Sequence, residues 1–419
     1  MNQMKKSRAA VLNIGLLATP EGRQAKAGAE QGHIRILKDA YVLAEDGVVV
    51  AVGTGQPNAQ WMEGADAVDA AGRLVTPGLV DAHTHLVFGG WRAHELQQKL
   101  SGVPYLEILA KGGGILSTVR ETRAAGEDAL AEKAGLALDG MLGQGTTTAE
   151  AKSGYGLSLG DELKQLSVVK RLNRSHAVDL VPTLMAAHAV PEEYRADRRA
   201  YIDLVIRQII PAAAGEGLAE FCDVFCETGV FSPEEAREIL LAGQRAGLQS
   251  KIHADEIDAI GGSELAGELG AVSAEHLIAM RDSGIRALKA GGVIACLLPA
   301  TSFYLGKPYA RARGLIAAGV PVAVASDFNP GSCPSHSLQL CMNLASWQYR
   351  MQPEEILTAV TLNAAAAIGR AETVGSTEPG KLADLVVWEA DSLDYLMYRF
   401  GSNLARAVLK RGKVVAGRL

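Results

Sequence analysis

From Leu79 onward, short apolar runs alternate along the chain with longer stretches of helical periodicity. The runs are "LVDAHTH" (79–85), "TTTAEAKS" (146–153), "VDLVPTLMAAH" (178–188) and "AEFCDVFC" (219–226), followed by "LQSKIHADE" (248–256), "AVSAEHL" (271–277), "GVIACLLPA" (292–300) and "PVAVASDF" (321–328). Eight strand candidates separated by helices predict a parallel α/β arrangement, and the number eight points to a closed (β/α)8 barrel. Their near-continuous apolar character fits strands buried on both faces. The flanks read differently. "HIRILKDAYVLAEDGVVVAVGTG" before the barrel is a set of short β pieces broken by turn signals, and "PGKLADLVVWEAD" and "RAVLKRGKVVAGRL" after it look the same. The expected organisation is a small β-sandwich domain from residues 1–76 plus 374–419, interrupted by a barrel at 77–373.

Polar residues break the apolar runs mainly toward their C-terminal ends: His83 and His85, Lys152, His188, His253 and Glu256, His276, and Asp327. Barrel enzymes build their sites on that face. Scattered core histidines would show no such bias. His83 and His85 are two apart, so on a strand both rings point the same way. With His253 and Asp327 from the fifth and eighth runs, three imidazoles and one carboxylate would meet if the barrel closes. That set suits one divalent metal, Zn²⁺ or Fe²⁺, with a position left for water.

Composition narrows the partners. The chain has 419 residues, 48% hydrophobic and 21% charged, with net charge −6, so no global basic field recruits nucleic acid. The five cysteines are thinly spread, which predicts reduced thiols and a cytoplasmic protein. Cys222 and Cys226 lie in a strand-like run with no second cysteine pair to complete a zinc set. The start "MNQMKKSRAAVLNIGLL" imitates a secretion signal, but Asn13 and Gly15 interrupt its apolar part. No run is long enough for a membrane helix. The glycines in "KGGG" (111–114) lack phosphate-loop spacing and read as a flexible loop.

"PGLVDAHTHLVFGG", "KIHADE", "SAEHL", "ASDFNPGS" and the late "PGKLADLVV" resemble the amidohydrolase superfamily over nearly the whole chain. The longer strings "HLVFGGWRAHEL", "GGGILSTVRETR", "AKSGYGL" and "DVFCETGVFS" resemble its branch that opens an imidazolone ring in histidine breakdown. The resemblance implies a distorted barrel with a β-sandwich from both termini. It also implies hydrolysis of 4-imidazolone-5-propanoate to N-formimidoyl-L-glutamate and assembly as a homodimer. Residue by residue, it makes His83, His85, His253 and Asp327 metal ligands, Glu256 the proton-transfer group, and His276 the group near the substrate carbonyl. Arg92, Tyr105, Tyr155 and His188 match substrate contacts, as do Asn329, Gly331 and Ser332 in the loop after the eighth run.

Competing readings exist. Glu256 lies three residues from His253, so on a regular strand it would face away; it can serve only if the chain turns there, and Asp255 is a rival. Lys152 is a candidate for the carboxylated bridging lysine of two-metal relatives, but those carry that lysine on the fourth strand, whereas Lys152 ends the second. A single metal and an electrostatic Lys152 follow. Arg92 is either a solvated arginine or a two-point partner for a propionate. Whole-chain rivals are another hydrolase on this scaffold, such as a nucleobase aminohydrolase, and an inactive scaffold. The filled ligand set argues against the second, and "WR" and "SGYG" against the first.

Overall fold

The structure, a computed structural model, describes residues 7–103 and 113–418. The N-terminal flank supplies β1 (Arg8–Thr19), β2 (Arg35–Glu45), β3 (Val48–Thr54), β4 (Asp66–Asp69) and β5 (Leu74–Pro77). Next come β6 (Leu79–Asp81), β7 (Thr146–Lys152), β8 (Asp179–Ala187), β9 (Phe221–Cys226), β10 (Gln249–Ala254), β11 (Ser273–His276), β12 (Ile294–Leu297) and β13 (Val322–Val324). The C-terminal flank adds β14 (Leu385–Trp388), β15 (Ala405–Lys410) and β16 (Lys413–Gly417).

β6 to β13 pair in chain order, every neighbour parallel, and all eight apolar runs supply one strand each. Closure falls between the first and last strands, where Thr84 bridges Phe328. There Asp327 N–H donates to the His83 carbonyl (3.0 Å) and His85 N–H to that of Phe328 (2.9 Å). The seam is therefore made by the backbone of the histidine pair and of Asp327. Helices cover the outside. Ser232 and Glu235, for example, form a reciprocal capping box that starts the helix Pro233–Arg245 at the exit of β9.

The two flanks share one sheet, ordered β16-β15-β14-β5-β1-β2-β3, with β4 also on β1. β1 carries a bulge between Val11 and Ile14, which bends it and lets it pair with both β4 and β5. The sheet is tied to the barrel by buried polar contacts. Lys410 Nζ reaches Asp384 (2.6 Å), Asp179 (2.7 Å) and the Thr147 carbonyl (2.9 Å). Within the sheet itself, Trp388 on β14, fully buried, donates its indole N–H to Thr76 Oγ1 on β5 at 2.8 Å.

Candidate active site

His83 and His85 lie just beyond the regular part of β6, in the segment that forms the closing seam. Their rings still converge, as spacing predicts. The ring centroids of His83 and His253 are 4.6 Å apart, and those of His85 and His253 5.5 Å. One nitrogen from each of the three lies within 4.8 Å of the others, all three residues buried. Asp327 Oδ1 stands 3.4 Å from His83 Nε2 and 3.6 Å from His85 Nε2.

The protonation of two rings follows from their partners. His83 Nδ1 lies 2.9 Å from Glu275 Oε2, and His253 Nδ1 3.1 Å from Asp223 Oδ2. A carboxylate accepts, so each Nδ1 carries the hydrogen and each Nε2 presents a lone pair. Both Nε2 atoms are buried without a hydrogen-bond partner among the described residues. Unpartnered buried acceptors are costly, and a cation is what this donor set fits.

Sequence periodicity did not reveal the layer beneath. Lys152 Nζ contacts Asp223 (2.7 Å) and Glu150 (2.8 Å); Lys251 Nζ contacts Glu150 (2.9 Å) and Glu275 (3.5 Å). All five side chains are fully buried. Their lattice sets two ammonium groups against three carboxylates, and Asp327 adds a fourth beside the histidines. Against the opposing effect of burial, His253 and then Lys152 hold Asp223 well below the usual carboxylate range, and Lys251 and Lys152 lower Glu275. A signal for the lattice existed: Glu150-x-Lys152 and Lys251-x-His253 place charges two apart inside apolar runs, on one strand face. Lys152 is thus an ion-pair partner of Asp223, consistent with its electrostatic reading.

Three site residues depend on left-handed backbone. Asp255 has φ +52°, His276 φ +68° and Asp327 φ +55°, all at the ends of barrel strands. Such conformations are costly for non-glycine residues and persist where their surroundings enforce them. The turn at Asp255 brings Glu256 round to the site, where its Oε2 is 3.7 Å from His276 Nε2. Asp255 instead accepts from Ser263 Oγ at 2.5 Å, holding the helix Gly262–Leu269. Burial raises Glu256 above the usual glutamate range and lowers His276 to about 4. Thr301 Oγ1 donates to Asp327 Oδ2 (2.6 Å), an orienting contact with no signal in the sequence motifs.

The remaining predicted residues divide. His188 stacks on His85 with centroids 4.8 Å apart and donates Nδ1–H to the Gly154 carbonyl at 3.1 Å. Tyr155 is buried against both, at 5.3 Å from His188 and 5.8 Å from His85. Arg92 lies against Gly331 so closely that a Cβ there would fall 1.2 Å from Nη2. Its Nε is buried without a partner among the described residues. Asn329 is occupied by its own loop: Oδ1 accepts from Gly331 N–H (2.8 Å) and Ser332 N–H (2.7 Å). Nδ2 of Asn329 donates to the Asp327 carbonyl at 2.7 Å, so Asn329 and Ser332 shape the loop on which Gly331 meets Arg92. Tyr105 lies outside the described residues.

Comparison with known proteins agrees with this architecture. The amidohydrolase family profile matches residues 74–415, and the chain belongs to that family. Within it, the chain falls among the imidazolonepropionases. It is 51% identical to imidazolonepropionase from Bacillus velezensis over 407 residues, covering 97% of this chain and 96% of the relative. The enzyme of that name from Alkaliphilus metalliredigens is 48% identical over 410 residues, 97% of each chain. In fold the chain resembles Escherichia coli guanine deaminase (TM-score 0.75, 17% identity, 99% and 100% coverage). It also resembles 5-methylcytosine deaminase from Klebsiella pneumoniae (TM-score 0.73, 21% identity, 98% of each chain).

Proposed function

We propose that the barrel-end site hydrolyses the cyclic amide of 4-imidazolone-5-propanoate, giving N-formimidoyl-L-glutamate in histidine breakdown. The observation that carries the reading is the near-full-length identity of about half to imidazolonepropionases. The site supports it with a cation-ready histidine cluster beside Glu256 and an unpartnered arginine nitrogen.

His83, His85, His253 and Asp327 would hold one divalent metal, Zn²⁺ or Fe²⁺. Such a metal acidifies water and polarises a carbonyl. Arg92 binds the propionate through its planar fork, with Tyr155 and His188 around the ring and the Asn329–Ser332 loop behind the guanidinium; Tyr105 is a further substrate contact by family resemblance alone. As water adds to the ring carbonyl carbon, Glu256 takes the water's proton. The C–N bond then breaks, and Glu256 returns that proton to the departing ring nitrogen. Its raised pKa favours the acid half of this cycle. His276, held neutral by burial, sits beside Glu256 and offers a hydrogen bond to the carbonyl oxygen.

The reading extends to a domain division at 1–76 plus 374–419 against 77–373, to a homodimer, and to the cytoplasm. Five cysteines, all buried and free, suit a reducing compartment. Among the described residues no helix is long and apolar enough to cross a membrane. Purified protein mixed with freshly generated imidazolone propionate tests the function. Loss of the ring's ultraviolet absorbance with matching release of N-formimidoyl-L-glutamate is expected; deamination of a nucleobase with no ring opening would favour the aminohydrolase alternative.

A further inference from the structure

The segment that carries Arg92 is pinned by three different helices. Gln165 Nε2, on Leu159–Ser175, donates to the Val87 carbonyl at 2.6 Å, and Thr122 Oγ1, on Ile115–Ala124, accepts from Gly89 N–H at 2.9 Å. The third pin is Lys133 on Glu127–Leu142, whose Nζ donates to the Gly89 carbonyl at 2.6 Å. The same ammonium stands 4.1 Å from the centre of the Phe88 ring and 4.9 Å from that of Trp91. Those two rings pack edge to face at 4.8 Å. Both lie 5.8 Å from Phe328, the residue that closes the barrel seam one position after Asp327.

The Lys133 ammonium is therefore a hub rather than a solvated surface charge. It joins one backbone carbonyl and two aromatic faces within the five residues that lead into Arg92, and each of these contacts is strongest for a cation. Gly89 has no freedom to shift inward, since a Cβ there would meet the Glu121 backbone at 2.4 Å. Beyond Trp91 the chain delivers Arg92 against Gly331. Lys133's contacts are to Gly89, Phe88 and Trp91, and Trp91 is the residue directly before Arg92.

We propose that Lys133 is a positioning residue for Arg92, fixing the guanidinium for a carboxylate-bearing substrate and so setting selectivity for it. The proposal rests on the functional reading above. Its test is a double-mutant cycle of Lys133→Met with Arg92→Ala, read as KM and kcat separately, with metal content measured in each protein. Lys133→Met is expected to raise KM for imidazolone propionate about ten-fold, with kcat within two-fold and metal content unchanged. In the Arg92→Ala background the same change should add less than two-fold, because no guanidinium remains to be placed. Lys133→Arg, which keeps a cation over the rings, should recover most of the loss. An analogue with methyl in place of the propionate should be handled equally by the parent protein and Lys133→Met.

Absence of ring opening by the parent protein would overturn the functional reading itself. An active parent with an unchanged KM in Lys133→Met, or an equal loss with and without Arg92, would overturn the role of Lys133. A variant that merely unfolds would lose kcat and metal together; Lys133→Gln, polar at this half-buried position but without the cation, then decides, a raised KM supporting the role and an unchanged KM overturning it.

Discussion

In the proposed reaction, Glu256 is the residue that carries the proton. On a regular strand it would face away from His253, yet the left-handed backbone at Asp255 brings it beside His276. Glu256→Gln keeps shape and hydrogen bonding but cannot carry the proton. It should bind metal and substrate while losing about 10²- to 10⁴-fold in kcat. Asp255→Asn should cost much less turnover, because Asp255 is engaged with Ser263. Near-normal turnover in Glu256→Gln would move proton transfer to another group. Gly331→Ala is the matching test of binding. The new methyl would occupy the position of the Arg92 guanidinium, so KM should rise about ten-fold or more with metal content unchanged. That His83, His85, His253 and Asp327 come together was legible from residue type and place in the runs. The turns were not: period-2 reasoning assumes extended backbone, and Asp255, His276 and Asp327 each leave it.

At the scale of the element, the barrel strands do more than deliver histidines. β7, β9, β10 and β11 hold Glu150, Lys152, Asp223, Lys251 and Glu275 in one dry lattice under the site. Asp223 and Glu275 fix the hydrogen of His253 and His83, and the lysines fix those carboxylates. Lys152→Met would leave Asp223 buried with only His253 beside it and Glu150 with only Lys251 for its charge. Breaking such a pair costs about 3–5 kcal/mol, and loss of an outer partner typically weakens a metal 10- to 100-fold. Chelator competition should therefore show weaker Zn²⁺ binding in Lys152→Met, with a lower unfolding temperature. Unchanged affinity would make the lattice a feature of the core alone. The eight strands were readable because most of the runs are dominated by apolar residues; the lattice was less so, because pairing partners come from different strands and only the sheet brings them together.

At the scale of the whole molecule, the burial that readies the site also links stability to pH. His276 is lowered to about 4 in the folded metal-free chain, whereas an unfolded histidine titrates near 6.5. As pH falls below 6.5, the unfolded chain takes up the proton first. This residue's contribution is present above pH 6.5 and is lost between there and about 4. Other groups titrate in the same window, so the informative quantity is a difference. The stability gap between parent and His276→Asn, measured by urea unfolding of metal-free protein, should shift in the variant's favour as pH falls from 7 to 4.5. A constant gap would mean that His276 takes up its proton equally in both states. The sheet shared by the two termini was foreseeable from its turn-broken β pieces. Its buried anchor, Lys410 against Asp384 and Asp179, was not, since those three residues are far apart in sequence.

The central claim is that one metal, held by His83, His85, His253 and Asp327, equips this barrel to open the imidazolone ring. The most direct measurement is a titration of metal-stripped protein with Zn²⁺, and in parallel with Fe²⁺ under anaerobic conditions, following the loss of ring absorbance. Turnover should rise from near zero and level off at one equivalent per chain, with His253→Ala failing to respond over the same range. A break at two equivalents, or full turnover in the stripped protein, would contradict the account.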